Sequence, residues 1–184
     1  MAYEELPPFA AWQFIDAVDG FEVVYRDASG IRGYTSAVEA GQAYAVHYEI
    51  SVDALWRTRE VHVHNDTARG RRSTVLVSDG KGSWTVDGRS APQLDGLYDV
   101  DLEASACTNT LPVHRLDLPL GDVVTAPAAY VQALDLQVRR LDQSYRRLDD
   151  HRFDYHSEGG FNAVLVYDKY GLVLDYPGIA TRFA

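Results

Sequence analysis

Turn-forming residues recur between Phe21 and Val52 at a spacing that leaves room for strands and little else. Asp27-Ala-Ser-Gly30 and Ala40-Gly41 separate stretches at 21–26, 31–39 and 42–52, and the last of these sets Tyr44, Val46, Tyr48 and Ile50 on one face. Side chains alternate across an extended chain, so an apolar residue at every second position marks a strand with one buried face. Strands punctuated by such turns make an antiparallel meander. No Gly-rich crossover into a helix appears, which counts against a nucleotide-binding α/β fold.

Residues 56–64 continue the pattern, with Trp56, Thr58, Glu60, His62 and His64 on one face and Arg57, Arg59, Val61 and Val63 on the other. A polar face with a large aromatic at its end suits a concave side that meets solvent or ligand. Residues 65–72 are basic and read as an exposed loop. Residues 73–78 and 82–86 make a hairpin about Asp79-Gly80-Lys81, and Asp87-Gly88 adds a tight turn. From 130 to 148, Leu134, Val138, Leu141, Tyr145 and Leu148 have helical spacing, yet 129–138 also alternates as a strand. The end is a three-strand meander at 152–156, 161–167 and 172–176, with Pro177 and Gly178 setting a turn after it.

The most chemically loaded stretch is 94–118. As a strand, its first part puts Leu97, Asp99 and Asp101 on one face and Tyr98, Val100 and Leu102 on the other. A second strand alternates Val113, Arg115 and Asp117 with His114, Leu116 and Leu118, and Asn109 and Pro112 suit the tight connection between them. Asp99, Asp101, Asn109 and Arg115 then converge. An arginine fork pairs with carboxylates and keeps donors free, so the group can bind sugar hydroxyls. It can equally be a buried network that satisfies itself and fixes the loop. Trp56, Trp84, Tyr155 and Tyr176 offer flat faces with polar tips that can wall a groove or fill a core. Arg59, His62 and Tyr145 complete the candidate ligand-binding set.

Catalytic and metal readings are weaker. His62 and His64 need a third ligand such as His47 or Glu60 to hold a metal. Cys107 beside His114 suggests an activated thiol, but a lone cysteine among small residues is more often a packing residue. Asp99 and Asp101, two apart on one strand, stand about 7 Å apart, which overlaps glycosidase carboxylate spacings without being diagnostic. No catalytic residue, metal or cofactor is assigned.

The segments Asp95-Gly-Leu-Tyr-Asp-Val-Asp101, Thr108-Asn-Thr-Leu-Pro-Val-His-Arg-Leu116 and Asp175-Tyr-Pro-Gly178 resemble the signature of the bacterial putative glycolipid-binding family. Asp53-Ala-Leu-Trp-Arg-Thr-Arg59 and Gln143-Ser-Tyr145 resemble two further blocks of it, in the right order. The resemblance covers nearly the whole chain. It implies a curved antiparallel β-roll or half-barrel, similar to periplasmic lipoprotein carriers and to an enzyme of violacein biosynthesis. It also favours extended chain over 130–148; the reading taken there is strand, with a helical turn near Leu141 from the residue spacing.

A length of 184 residues suits one domain, 1–184. The net charge of −10 repels phosphate backbones and acidic lipid, which counts against nucleic-acid binding and peripheral adhesion to anionic membranes. A single cysteine rules out an internal disulfide. No basic residue precedes Arg26 and no long apolar run follows, so no secretory signal or integral membrane segment is expected, and the cytoplasm is the expected location. The expectation is a mainly β, single-domain antiparallel curved roll or half-barrel with little helix. Its concave side would bind an amphiphilic small molecule or glycolipid. A cofactor-independent enzyme acting on a reactive metabolite and a structural or interaction domain are the alternatives, and a homodimer is left open.

Overall fold

The computed structural model describes residues 3–16, 18–28 and 30–184. Its strands are β1 (Phe9–Phe14), β2 (Val18–Asp27), β3 (Gly30–Glu39), β4 (Gln42–Val52), β5 (Thr58–Thr67), β6 (Gly70–Ser78), β7 (Trp84–Val86), β8 (Arg89–Ser90), β9 (Asp99–Leu102), β10 (Val123–Thr125), β11 (Ala128–Val131), β12 (Val138–Leu141), β13 (Gln143–Arg147), β14 (Arg152–Ser157), β15 (Asn162–Tyr167), β16 (Val173–Tyr176) and β17 (Ala180–Arg182). One short helix, α1, spans Thr110–Arg115.

Fourteen of these strands form one curved antiparallel sheet in the order β10-β13-β14-β15-β16-β17-β1-β2-β3-β4-β5-β6-β7-β8. The two edge strands do not pair, so the sheet is an open roll. Its seam is β1 against β17, which joins the two ends of the chain, and the Trp12 indole locks it by donating to Val173 O at 2.7 Å. The expected mainly β roll is the observed fold.

The concave side is filled by the chain itself. A small sheet, β12-β11-β9, with β9 and β11 parallel, lies inside the roll together with α1. Strands from both arms hold it: Thr35 Oγ1 donates to Ala104 O at 2.6 Å, Asn65 Nδ2 to Ala133 O at 2.8 Å, Trp84 Nε1 to Leu97 O at 2.9 Å and Tyr145 OH to Asn109 Oδ1 at 2.8 Å. The core therefore lies between roll and insert, from Tyr48, Val61 and Leu76 on one side to Leu97, Val100 and Leu111 on the other.

Several expectations are corrected. Residues 65–72 are not a loop: β5 and β6 run through them in register, Asp66 against Arg71, and turn at Ala68-Arg69 into Gly70, whose φ is +108°. The arginines sit on an exposed strand end, where charge is tolerated. Residues 113–118 are not a strand. The buried segment from Thr108 has no ladder partner there, so its backbone closes its own hydrogen bonds as a 3-10 turn and then α1, with Pro112 in the first helical turn, where no N–H is needed.

Within 130–148 the chain is strand on either side of a turn at 133–135, after which Leu136 has φ +58°, and there is no helical turn at Leu141. The chain passes from the inner sheet at β12 to the outer sheet at β13 across Asp142, and this change of sheet mixes the two periodicities. The polar face of β5 is the convex one, since Val61 and Val63 are the buried residues and Glu60 and His64 are exposed. Ser29, in the expected turn at 27–30, lies outside the described residues, as do Met1 and Ala2. The closing meander is as expected, while β1 and β17 were not anticipated.

Candidate functional site

A cavity of about 320 Å³ remains between roll and insert, more enclosed than any other depression of comparable size. The inner sheet supplies its floor, from Asp101, Leu102 and Glu103 at the end of β9, Tyr130 of β11 and Arg139 of β12. Ser105 and Asn109, on the turn that leads to α1, flank the floor. The roll supplies the wall: Phe14, Tyr44, Tyr155 and Tyr176, with Phe161 just before β15.

Three of those rings pack edge to face as a trio. Tyr155, Phe161 and Tyr176 have centroids 6.1, 6.0 and 5.9 Å apart in the three pairings. The Tyr155 hydroxyl is spent on Gln143 Oε1 at 2.7 Å. What this trio offers a ligand is apolar ring surface.

The lining is acidic. Glu39, Asp101, Glu103 and Glu158 line the cavity against a single guanidinium, Arg139, which is ion-paired with Glu158 and lies over the Tyr130 ring at 4.7 Å. Glu103 accepts from Tyr130 OH at 2.9 Å and from Ala133 N at 2.7 Å. Asp101 accepts from Thr108 Oγ1 at 2.9 Å on Oδ1, and among the described residues no donor reaches its Oδ2. Burial raises the Asp101 carboxyl to about 6; the Thr108 bond and the charge of Arg139 oppose this, and the charges of Asp99 and Glu103 add to it. Burial, with the carboxylates Glu39 and Glu103, likewise raises the Tyr44 phenol to about 12.

Of the residues singled out from sequence, Asp101, Asn109 and Tyr176 line this cavity, and so does Tyr155. The others lie elsewhere. Arg115 forks onto the buried Asp99 behind the floor, and Tyr145 is buried with its hydroxyl on Asn109. Trp84 is core. Trp56 precedes β5 in a turn with φ +60° and stacks on His114 at 3.8 Å. Arg59 donates to Ser78 O at 3.1 Å, and His62 meets Glu60 at 2.8 Å on the convex face. The four groups expected to converge are thus divided, with Asp101 and Asn109 at the cavity and Asp99 with Arg115 behind it.

Cys107 is buried, and His114 Nε2 pairs with Tyr170 O at 2.8 Å. Among the described residues no trio of His, Cys, Asp or Glu is placed to hold a metal ion, and no helix is long and apolar enough to cross a membrane. Sequence reasoning missed Phe14, Glu39, Tyr44, Glu103, Ser105, Tyr130, Arg139, Glu158 and Phe161 as lining residues. Two of them carried a signal. Tyr44 was assigned to a buried face, and Glu103 follows Asp101 by two on the same strand edge.

Sequence reasoning also missed Glu22. This fully buried carboxylate accepts from Tyr48 OH and Ser105 Oγ, each at 2.5 Å, and from Ala106 N at 2.8 Å and Cys107 N at 3.3 Å. Burial raises its pKa, and these four donors oppose the rise. Glu22 thereby fastens to β2 the turn that carries Ser105 and Asn109 to the cavity.

A family model described as putative glycolipid-binding matches residues 10–182. A crystal structure of a DUF1089 family protein from Pseudomonas aeruginosa is similar to this chain: 32% identity, 100% of each chain covered and a TM-score of 0.85. No curated protein matches.

Proposed function

The chain belongs to the putative glycolipid-binding family, and from that premise we propose that it binds an amphiphilic small molecule whose hydroxyl-rich headgroup sits in the cavity above Asp101. The family's name describes a binding role. The observation that carries the finer reading is the meeting, in one half-open cavity, of the Tyr155–Phe161–Tyr176 rings with Asp101, Ser105 and Asn109. A sugar ring has an apolar face of C–H groups and a rim of hydroxyls, and this lining supplies ring surface for the first and polar groups for the second. At about 320 Å³ the space lies at the low end of small-molecule pockets. It accommodates a headgroup and leaves a long acyl chain outside.

Native mass spectrometry of protein purified from its own host, before and after denaturing extraction, tests this reading. An amphiphile should co-purify with the wild type, be released on denaturation and be lost from Tyr176→Ala. A folded wild-type protein that carries nothing, and that takes up no alkyl glycoside when titrated, would overturn the proposal.

A further inference from the structure

We propose that the headgroup taken by this cavity carries a protonated amine, as an amino sugar does, and that phosphorylated or sulfated headgroups are refused. The inference rests on the headgroup reading above and specifies its chemistry.

Two aspartates two residues apart on β9 are treated differently. Asp99 is given a full counter-charge by Arg115. Asp101, 9% exposed and facing the cavity, is given only the Thr108 hydroxyl, which leaves Oδ2 without a protein donor among the described residues. A buried carboxylate ordinarily acquires a cation or a full set of donors. Oδ2 is not sealed off, and the cavity that Asp101 lines is where a cation from outside the protein can reach it.

The surroundings select its sign. Arg139 is paired with Glu158, so the lining sets four carboxylates against one guanidinium and is net negative, and an incoming anion would meet that excess. The aromatic wall favours the same charge, because the electron-rich faces of tyrosine and phenylalanine attract cations. Burial is the main cause of the raised Asp101 pKa, and the charge of Arg139 offsets it only in part. A purely architectural Asp101 would only hold the turn through Thr108, and asparagine can accept that bond equally well.

Calorimetric titration at pH 7.5, below micellar concentrations, separates these cases. The probes are octyl glucoside, its 2-amino-2-deoxy and 2-acetamido analogues, its 6-phosphate, and free glucosamine. The amine-bearing glycoside is expected to bind about tenfold more tightly than the neutral parent, with acetylation erasing the gain and the phosphate not binding. In Asp101→Asn both glycosides are expected to bind more weakly, and the amine-to-neutral affinity ratio should fall below about threefold. Should that variant fail to fold, Glu39→Gln removes a charge from the cavity rim and should lower the preference about threefold.

Free glucosamine binding as tightly as its octyl glycoside would support the amine and make the natural ligand a soluble amino sugar. Equal binding of amine and neutral glycosides would overturn this inference and leave the proposed function standing. No binding by any probe would remove both. An amine preference that survives intact in Asp101→Asn would overturn the assignment to Asp101.

Discussion

Arg115 holds Asp99 with two parallel hydrogen bonds, Nε to Oδ1 at 2.9 Å and Nη2 to Oδ2 at 2.6 Å, and the carboxylate between them is 0% exposed. The pair ties the end of α1 to β9, so the floor of the cavity is fixed from behind. Removing one partner of a buried pair strands the other charge, at a cost of about 3–5 kcal/mol. Arg115→Ala should therefore lower the urea midpoint sharply, and Arg115→Lys should recover only part of the loss, because an ammonium cannot fork. Ligand affinity of the folded fraction should be unchanged. An Arg115→Ala protein of wild-type stability would show that the pair does not fix the floor.

Gly33 stands opposite Tyr48 in the β3–β4 register, and the tyrosine ring lies across its backbone. A Cβ on Gly33 would come within 2.0–2.3 Å of the ring carbons and hydroxyl. The ring cannot swing away cheaply, since its hydroxyl is held by Glu22 at 2.5 Å. Gly33→Ala should cost about 1–3 kcal/mol or more in overpacking, and should loosen the Ser105–Cys107 turn. Gly41→Ala is the contrast: nothing lies within 4 Å of its Cβ, so any penalty there comes from φ +76° alone. Equal melting temperatures for wild type and Gly33→Ala would refute the close approach.

The roll was legible because its cause is local. Tyr44, Val46, Tyr48 and Ile50 alternate, and turn residues close each hairpin, so neighbouring strands pair without distant information. The insert was not legible, because its structure is imposed by burial. Val113, Arg115 and Asp117 alternate as a strand would, yet the segment lies where no ladder partner is free, and part of it coils into α1. The site fell between these cases. Asp101 and Asn109 could be named from their residue types and Tyr176 from its ring, but Arg139 reaches the cavity only through the pairing of Tyr130 with Arg139, which depends on the inner sheet existing at all. Glu22 was the least visible. Among the three carboxylates of the strand 18–27, nothing in the sequence singles out Glu22 as the one on which four donors from elsewhere gather.

His114 sits in a stack, 3.8 Å from Trp56 and 4.6 Å from Tyr3, with its Nε2 on Tyr170 O. Burial holds its pKa down to about 4, the Tyr170 bond and Asp168 opposing. The fold therefore favours the neutral ring. Its contribution is complete above the ordinary value near 6.5 and is lost as pH falls from there to about 4, because the unfolded chain takes up the proton first. With partial exposure allowed for, the loss is on the order of 2 kcal/mol. In His114→Phe, which keeps a ring in the stack, this part of the acid limb should flatten in melting temperature against pH. A parallel curve for the variant would sink the argument.

Asp101 acts with the opposite sign. Its folded pKa, about 6, lies above the ordinary 3.8, so the folded protein binds the proton more readily than the unfolded chain does. The ionised carboxylate thus destabilises the fold in full above about 6, and this burden lifts as pH falls from there to 3.8. Asp101→Asn removes the burden while keeping an acceptor for Thr108. The variant should be more stable than wild type at pH 8, on the order of 2–3 kcal/mol, with the difference closing towards pH 4. Urea midpoints across that range measure it directly. A residue that weakens its own fold at neutral pH fits a carboxylate retained for what it binds. The same variant should then show a smaller thermal upshift with the 2-amino-2-deoxy glycoside than the wild type does, close to the upshift given by the neutral glycoside. An Asp101→Asn protein less stable than wild type at pH 8 would mean that the carboxylate already has its partner within the fold.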